Sequence, residues 1–331
     1  MSQNACDPFL NGPPRSAPSE RGLQSPRIGI TVNLGADQGL TADFDGLRGF
    51  LDEVAQAGYT HVELGACGLG MIIGGNVQPA RIAVLKEAVR DSPLRLTLHS
   101  SWSCSGRTGN LLDTTSTPAQ RAGLRADLET AKAIGAGVLV YHAGVLLNQY
   151  GDGDSFASAL AAEREELRRL ADQAAESGIM IAVENRAPTS AVISHRSYGL
   201  DLRRVAEQVA GVGHPQVSMC LDTGHAFLAA RYLHDDFLST VREVAPLVGH
   251  IHMSDNFGKV PPVPNADPRE MEMLGEGDLH LPPGWGTLPL AEVMAVPYPL
   301  DPITIVEIRY VRHFAEAFTA TRQLLAERAP A

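Results

Sequence analysis

From residue 27 onward, short apolar runs alternate with longer stretches whose apolar residues recur every three or four positions. The short runs are "RIGITVNL" (27–34), "THVELG" (60–65), "LRLTLHS" (94–100), "GVLVYHAG" (137–144), "IMIAVEN" (179–185), "VSMCLDTG" (217–224), "GHIHMSD" (249–255) and "ITIVEIR" (303–309). Their length and β-branched content predict eight strands. The stretches 44–59, 121–136 and 159–178 carry the spacing of amphipathic helices. Gly58, Gly135 and Gly178 stand where those helices should stop, since glycine accepts the left-handed backbone that closes a helix. Strict alternation of strand and helix implies a parallel sheet, and eight such units suit a (β/α)8 TIM barrel. The competing doubly wound sheet gathers ligands at a single switch point. Polar residues at the ends of many strands favour the barrel.

Those strand ends carry the candidate chemistry. They are Glu63, His99, His142, Glu184, Asp222, His252 and Glu307, with His225 in the turn after Asp222. In a barrel, the C-terminal strand ends share one mouth. Carboxylates and imidazoles converging there suit zinc, manganese, cobalt or iron. No GxSxG is present. "GLGMIIGG" (68–75) lacks the GxGxxG spacing and reads as a flexible rim loop without a dinucleotide.

Composition narrows the classes. The chain has 331 residues and a formal net charge of −11, with no basic run, which argues against a nucleic-acid partner. Cys6, Cys67, Cys104 and Cys220 are scattered without CxxC spacing, so a reducing, cytoplasmic setting is the expectation. No apolar run reaches membrane-span length, and no membrane partner is expected. Residues 1–26 are polar, rich in Pro and Ser, and read as a disordered N-terminal arm without a secretory signal. Residues 27–331 then form one barrel domain. Self-association into a homo-oligomer stays open.

Four motifs in order, "VEN" with Glu184, "LDTGHA" with Asp222 and His225, "HIHMSDN" with His252 and Asp255, and "VEI" with Glu307, resemble the xylose-isomerase-like barrel superfamily. That group includes sugar isomerases and epimerases, inosose dehydratases and type IV AP endonucleases. The resemblance covers residues 27 to about 325. It implies that Glu184, Asp222, His252 and Glu307 hold one divalent metal ion: manganese, zinc, cobalt, magnesium or iron. His99 and His142 match the positions of a second ion, with Glu184 as the bridge. In the endonuclease branch a third ion uses the loop histidine and a DxH motif before a "GEG" segment. Here "DPREMEM" precedes "LGEG", which leaves His225 for substrate.

The function implied is a metal-dependent isomerase or epimerase of a keto-sugar or related polyol. Glu184 and Glu307 would move a proton next to a metal-bound carbonyl, and His225 would hold the oxygen that gains charge. The alternatives are a dehydratase or lyase on a sugar or cyclitol, an endonuclease-like phosphodiesterase, and a binding protein on an inactive barrel. Candidate substrate contacts are His99, Trp102, Arg186, His225, Trp285 and Arg309. Each residue also has a plainer role: Asp222 as a helix cap, the glutamates and arginines as ion pairs, the tryptophans as loop anchors. His250 lies one layer below His252, and Glu63 stands between site and scaffold. Asp278 and His280 in "GEGDLH" would cap a lid or touch substrate.

Overall fold

Strand residues two apart share a face, so each strand divides its side chains between the barrel interior and the surrounding helices. The computed structural model describes residues 26–32, 44, 46–66, 70–74, 76–100, 110–112, 118–146, 153–193, 195–261 and 267–327. All eight predicted strands are present, with ends shifted by a few residues: β1 Ile28–Val32, β2 His61–Gly65, β3 Arg95–His99, β4 Val138–His142, β5 Met180–Glu184, β6 Val217–Asp222, β7 Val248–Met253 and β8 Ile303–Val306. They pair in parallel, in chain order, and β8 returns to β1 to close the barrel. Glu307 therefore sits one residue past the end of β8.

The outward faces meet amphipathic helices. Leu47, Leu51 and Val54 of Leu47–Ala57, and Val205, Val209 and Val212 of Leu202–Val212, are buried in the main core. A second, small cluster of Val138, Val140, Ala182 and Cys220 fills the barrel interior, with Met180 and Ile303 against it. Along β4, β5 and β6 the next inward position towards the C-terminal end holds His142, Glu184 and Asp222. The interior thus changes from apolar to ionisable within one two-residue step. The predicted helix stops hold: Gly58, Gly135 and Gly178 have φ of 105°, 74° and 67°. At Gly58 a Cβ would also stand 2.7 Å from the Phe318 ring.

Two loop expectations change. Within 68–75, Ile72–Ile73 pairs antiparallel with Asn76–Val77, so part of that stretch is a hairpin rather than a free loop. The long connection after β7 is folded rather than lid-like in isolation. It contains a helix, Pro268–Leu274, and isolated bridges join Asp255 to Leu281 and Lys259 to Glu276. Asp255 organises it by accepting from the backbone N–H of Asn256, Gly284, Gly286 and Leu288 at 2.9–3.1 Å. Gly286 is required there, because a side chain would collide with Asp255 and the Asn256 carbonyl. The N-terminal arm expected over 1–26 lies outside the described residues except at its last position. Among the described residues no helix is long and apolar enough to cross a membrane.

Candidate metal centre

The C-terminal ends of β3 to β8 aim six ionisable side chains into the barrel mouth. Glu184 lies at their centre. Its Oε2 is 3.2 Å from His99 Nε2 and 3.0 Å from His142 Nε2. Its Oε1 is 3.2 Å from His252 Nδ1, and that same nitrogen is 2.9 Å from Glu307 Oε2. Asp222 completes the group. One ligand atom from each of Glu184, Asp222, His252 and Glu307 lies within 4.8 Å of all the others. Two further groups share Glu184: His99 with His252, and His142 with His225.

Asp222 is both cap and candidate ligand. Its Oδ1 accepts from the His225 backbone N–H at 2.6 Å, capping the helix Thr223–Leu233. Its Oδ2 is buried and has no hydrogen-bond partner. Asn185 fixes the backbone behind it: the side-chain oxygen accepts from Asp222 N–H at 2.9 Å, and the amide donates to the Asp222 carbonyl at 3.0 Å. Asn185 is thus a positioning residue that motif reading passes over, although it sits inside "VEN".

Below this layer stands a second one. Glu63 Oε1 is 2.9 Å from His252 Nε2, and its Oε2 is 2.9 Å from His250 Nε2. The Thr97 hydroxyl donates to the same Oε2 at 2.9 Å. Glu63, His250 and His252 are all fully buried. A carboxylate on the far nitrogen of an imidazole fixes its tautomer and leaves the near nitrogen to face a metal.

The carboxylates of this cluster are balanced by imidazoles. Among the described residues, the ion pairs of Glu63, Glu184, Asp222, Asp278 and Glu307 are all with histidine. Burial pushes the Glu184 carboxyl up, but the imidazoles of His142 and His252 outweigh it and hold Glu184 well below the usual range. Glu307 is held down to about 2 against the same burial, chiefly by His252. Asp222 goes the other way, to about 6, because burial dominates and Glu184 and Glu307 add to it. Contact with Glu184 lifts His99 to about 9 despite burial. Burial lowers His142 to about 4 against the pull of Glu184, and the charge of His99, whose ring lies 4.8 Å away, adds to the lowering. A divalent cation would replace these forced imidazolium charges and leave neutral histidine ligands. The orphaned Asp222 oxygen and the mixed carboxylate–imidazole donors fit such an ion.

His225 departs from the sequence expectation of a free imidazole. Its Nδ1 is 3.0 Å from the Asn185 carbonyl, and its Nε2 is 3.0 Å from Asp278 Oδ2. His280 Nε2 approaches the same Asp278 oxygen at 2.9 Å. A D-x-H pair therefore exists after the "GEG" segment rather than before it, and the fold carries it to His225. His225, Asp278 and His280 form a further group able to hold a cation. Burial opposes it, but Asp278 lifts His280 to about 10. The signal was in the sequence at 278 and 280; what it lacked was the folded path of the long connection.

The proposed substrate contacts divide. His99 lies in the cluster. Arg186 is buried, its Nη1 donates to the Ala143 carbonyl at 3.5 Å, and its side chain packs where a Cβ on Gly199 would stand. Arg309 lies beyond β8, exposed, with Nη1 4.0 Å from Glu272. Trp285 packs against the Tyr310 and His313 rings and donates to Glu316 at 2.9 Å, which ties the loop after β7 to the C-terminal segment. Trp102, with Cys6, Cys67 and Cys104, lies outside the described residues.

A family model described as a xylose isomerase-like TIM barrel matches residues 51–296. No curated protein sequence matches the chain. Solved structures share the fold at low identity. A D-tagatose 3-epimerase-like protein superposes with a TM-score of 0.65 at 17% identity, covering 91% of this chain and 97% of that one. A Thermus thermophilus protein soaked with zinc chloride gives 0.60 at 16% identity over 92% and 100%. The 3-keto-D-glucoside 4-epimerase of E. coli gives 0.57 at 14% identity over 90% and 99%.

Proposed function

The chain belongs to the xylose isomerase-like TIM barrel family, and on that premise we propose that it is a divalent-metal-dependent isomerase or epimerase of a keto-sugar or related polyol. The observation that carries the proposal is the orphaned Asp222 Oδ2, enclosed with Glu184, His252 and Glu307 within ligand range of one another. The epimerases among the structural neighbours point to the same substrate class. A cation held by these four residues supplies Lewis-acid polarisation of a carbonyl, which acidifies the neighbouring C–H. Glu184 and Glu307 both reach His252 Nδ1, from β5 and from beyond β8, and so flank one point from two sides. One carboxylate takes the proton from that carbon, and the other, protonated from water, delivers a proton on the opposite face or at the next carbon. Glu63 holds the His252 ring, and Asn185 holds the Asp222 backbone. Expulsion of a hydroxyl instead of reprotonation would give the lyase alternative.

A second reading gains from one observation. The His225–Asp278–His280 group stands beside the Glu184 clusters, which suits a metal-dependent phosphodiesterase as well. The net charge of −11 opposes a nucleic-acid substrate. The deciding experiment loads the protein with manganese or zinc and offers a keto-sugar and cyclitol panel in deuterated water. The proposal expects deuterium at the carbon beside the carbonyl. It also expects that exchange to fall on the order of 10²-fold in metal-loaded Glu184→Gln or Glu307→Gln. Turnover that survives in both variants, or incision of abasic DNA without any sugar turnover, would defeat it.

A further inference from the structure

The opposite end of the barrel has its own chemistry. A cavity of about 490 Å³ opens at the N-terminal ends of the strands. That size lies within the range of small-molecule pockets, about 300–1,000 Å³. Its charged lining is Arg27 ahead of β1, His61 and Arg95 at the starts of β2 and β3, and Lys86 and Arg90 at the end of the helix Pro79–Val89. No aspartate or glutamate lines it. Carboxylates reach only its rim, where Asp301 pairs with Arg27 and where Glu87 and Asp91 pair with Arg90 at 2.6 and 3.5 Å.

The cations differ in their partners. Arg27 is 3.0 Å from Asp301, and Arg90 is 2.6 Å from Glu87. Arg95 and Lys86 have no carboxylate within ion-pair range among the described residues. His61 is 4% exposed, with Nδ1 2.8 Å from the Thr60 hydroxyl. Burial first, then the charges of Arg27 and Arg95, push it down to about 4. Arg95 and Lys86, unpaired among the described residues on one concave surface, direct a positive potential into it. Nothing in the reaction at the other end of the barrel uses these residues.

We propose that this cavity binds a small anion of the phosphate class, with Arg95 and Lys86 as its free cationic contacts and Arg27 and Arg90 as the flanking charges. Guanidinium and ammonium groups together match phosphate oxygens, Arg by paired N–H donors and Lys as a point charge. The residues are 27, 61, 86, 90 and 95 in the chain, so no basic run announces them.

The test uses inorganic phosphate against the full-length, metal-loaded protein, at ionic strength held constant with chloride. Binding is followed by calorimetry and by thermal unfolding. Wild type should show saturable binding and a rise in Tm. Lys86→Ala/Arg95→Ala, two exposed positions that leave the core intact, should bind at least tenfold more weakly. Arg95→Lys should retain part of the response. Phosphate could also meet the metal centre, so Asp222→Ala serves as the control and should keep the response. Absence of saturable binding in wild type, an equal response in the double variant, or its loss in Asp222→Ala would overturn the proposal.

Discussion

Glu63→Gln isolates what a buried carboxylate does for His252. The substitution keeps shape and removes one charge. Glu63 Oε1 is 2.9 Å from His252 Nε2, while Oε2 meets both His250 Nε2 and the Thr97 hydroxyl at 2.9 Å. A glutamine must turn its NH2 to one side. If it faces His252, Nε2 must be unprotonated to accept, Nδ1 then carries the proton, and the metal loses a ligand. Metal binding therefore selects the other orientation. The Thr97 hydroxyl can rotate to accept from the NH2. His250 can accept only by moving its proton to Nδ1, which is buried without a partner. One unmet buried donor costs about 1–3 kcal/mol. Loss of the carboxylate behind a ligating imidazole costs roughly 10–100-fold in metal affinity, which is about 1.4–2.8 kcal/mol. Competition titration with a chelator, using manganese and zinc, should show that loss. The metal-free variant escapes the penalty of the unmet donor, because its NH2 can turn to His252 while a protonated Nδ1 donates to Glu184 or Glu307, so its denaturant midpoint should fall less than that of the metal-loaded variant. Affinity within threefold of wild type, in a variant that folds, would refute the link between Glu63 and the metal and leave it a scaffold residue.

Metal content should fall to a trace in Asp222→Ala/His252→Ala, read by elemental analysis on folded protein; equal stoichiometry would remove these residues from the site. His99→Ala should lower a metal count that exceeds one per chain, whereas a firm count of one in metal-replete wild type would leave His99 and His142 without an ion of their own. Glu163 is buried and hydrogen-bonded to Tyr141 and Gln208, and burial pushes its carboxyl up to about 6. The folded state then binds the proton more tightly than the unfolded chain, so stability from this group is present at low pH and declines from about pH 4.5 to above 6, by about 2 kcal/mol. Glu163→Gln should lack that decline in denaturant midpoints measured across the window; an identical slope in both proteins would contradict the argument. Asp255→Ala removes the acceptor of four backbone N–H groups, so limited proteolysis should cut within 282–288 faster than in wild type, and an unchanged pattern would show the loop to be held by other contacts.

The eight strands and the helix stops were legible because burial imposes period two on a strand and the left-handed stop favours glycine. That carboxylates and imidazoles should converge was legible for a related reason, since a barrel sends every C-terminal strand end to one mouth; the choice of Glu184, Asp222, His252 and Glu307 among them rested on the family resemblance. Sequence could not decide what meets across the interior. Glu63 and His250 are far apart in the chain, and only barrel closure puts them 2.9 Å apart. Asp278 and His280 were visible as letters, but their contact with His225 depends on how the connection after β7 folds back, where the Asp255 backbone bridges Leu281. Arg309, two residues past Glu307, and Trp285, in the loop after β7, were candidates on position alone; the contacts of Arg309 with Glu272 and of Trp285 with Glu316 depend on how the chain beyond β7 and β8 folds. The basic floor of the barrel was invisible for the same reason. Local pattern reports which face of an element is buried; the juxtaposition of charges from separate elements is fixed only when the sheet closes.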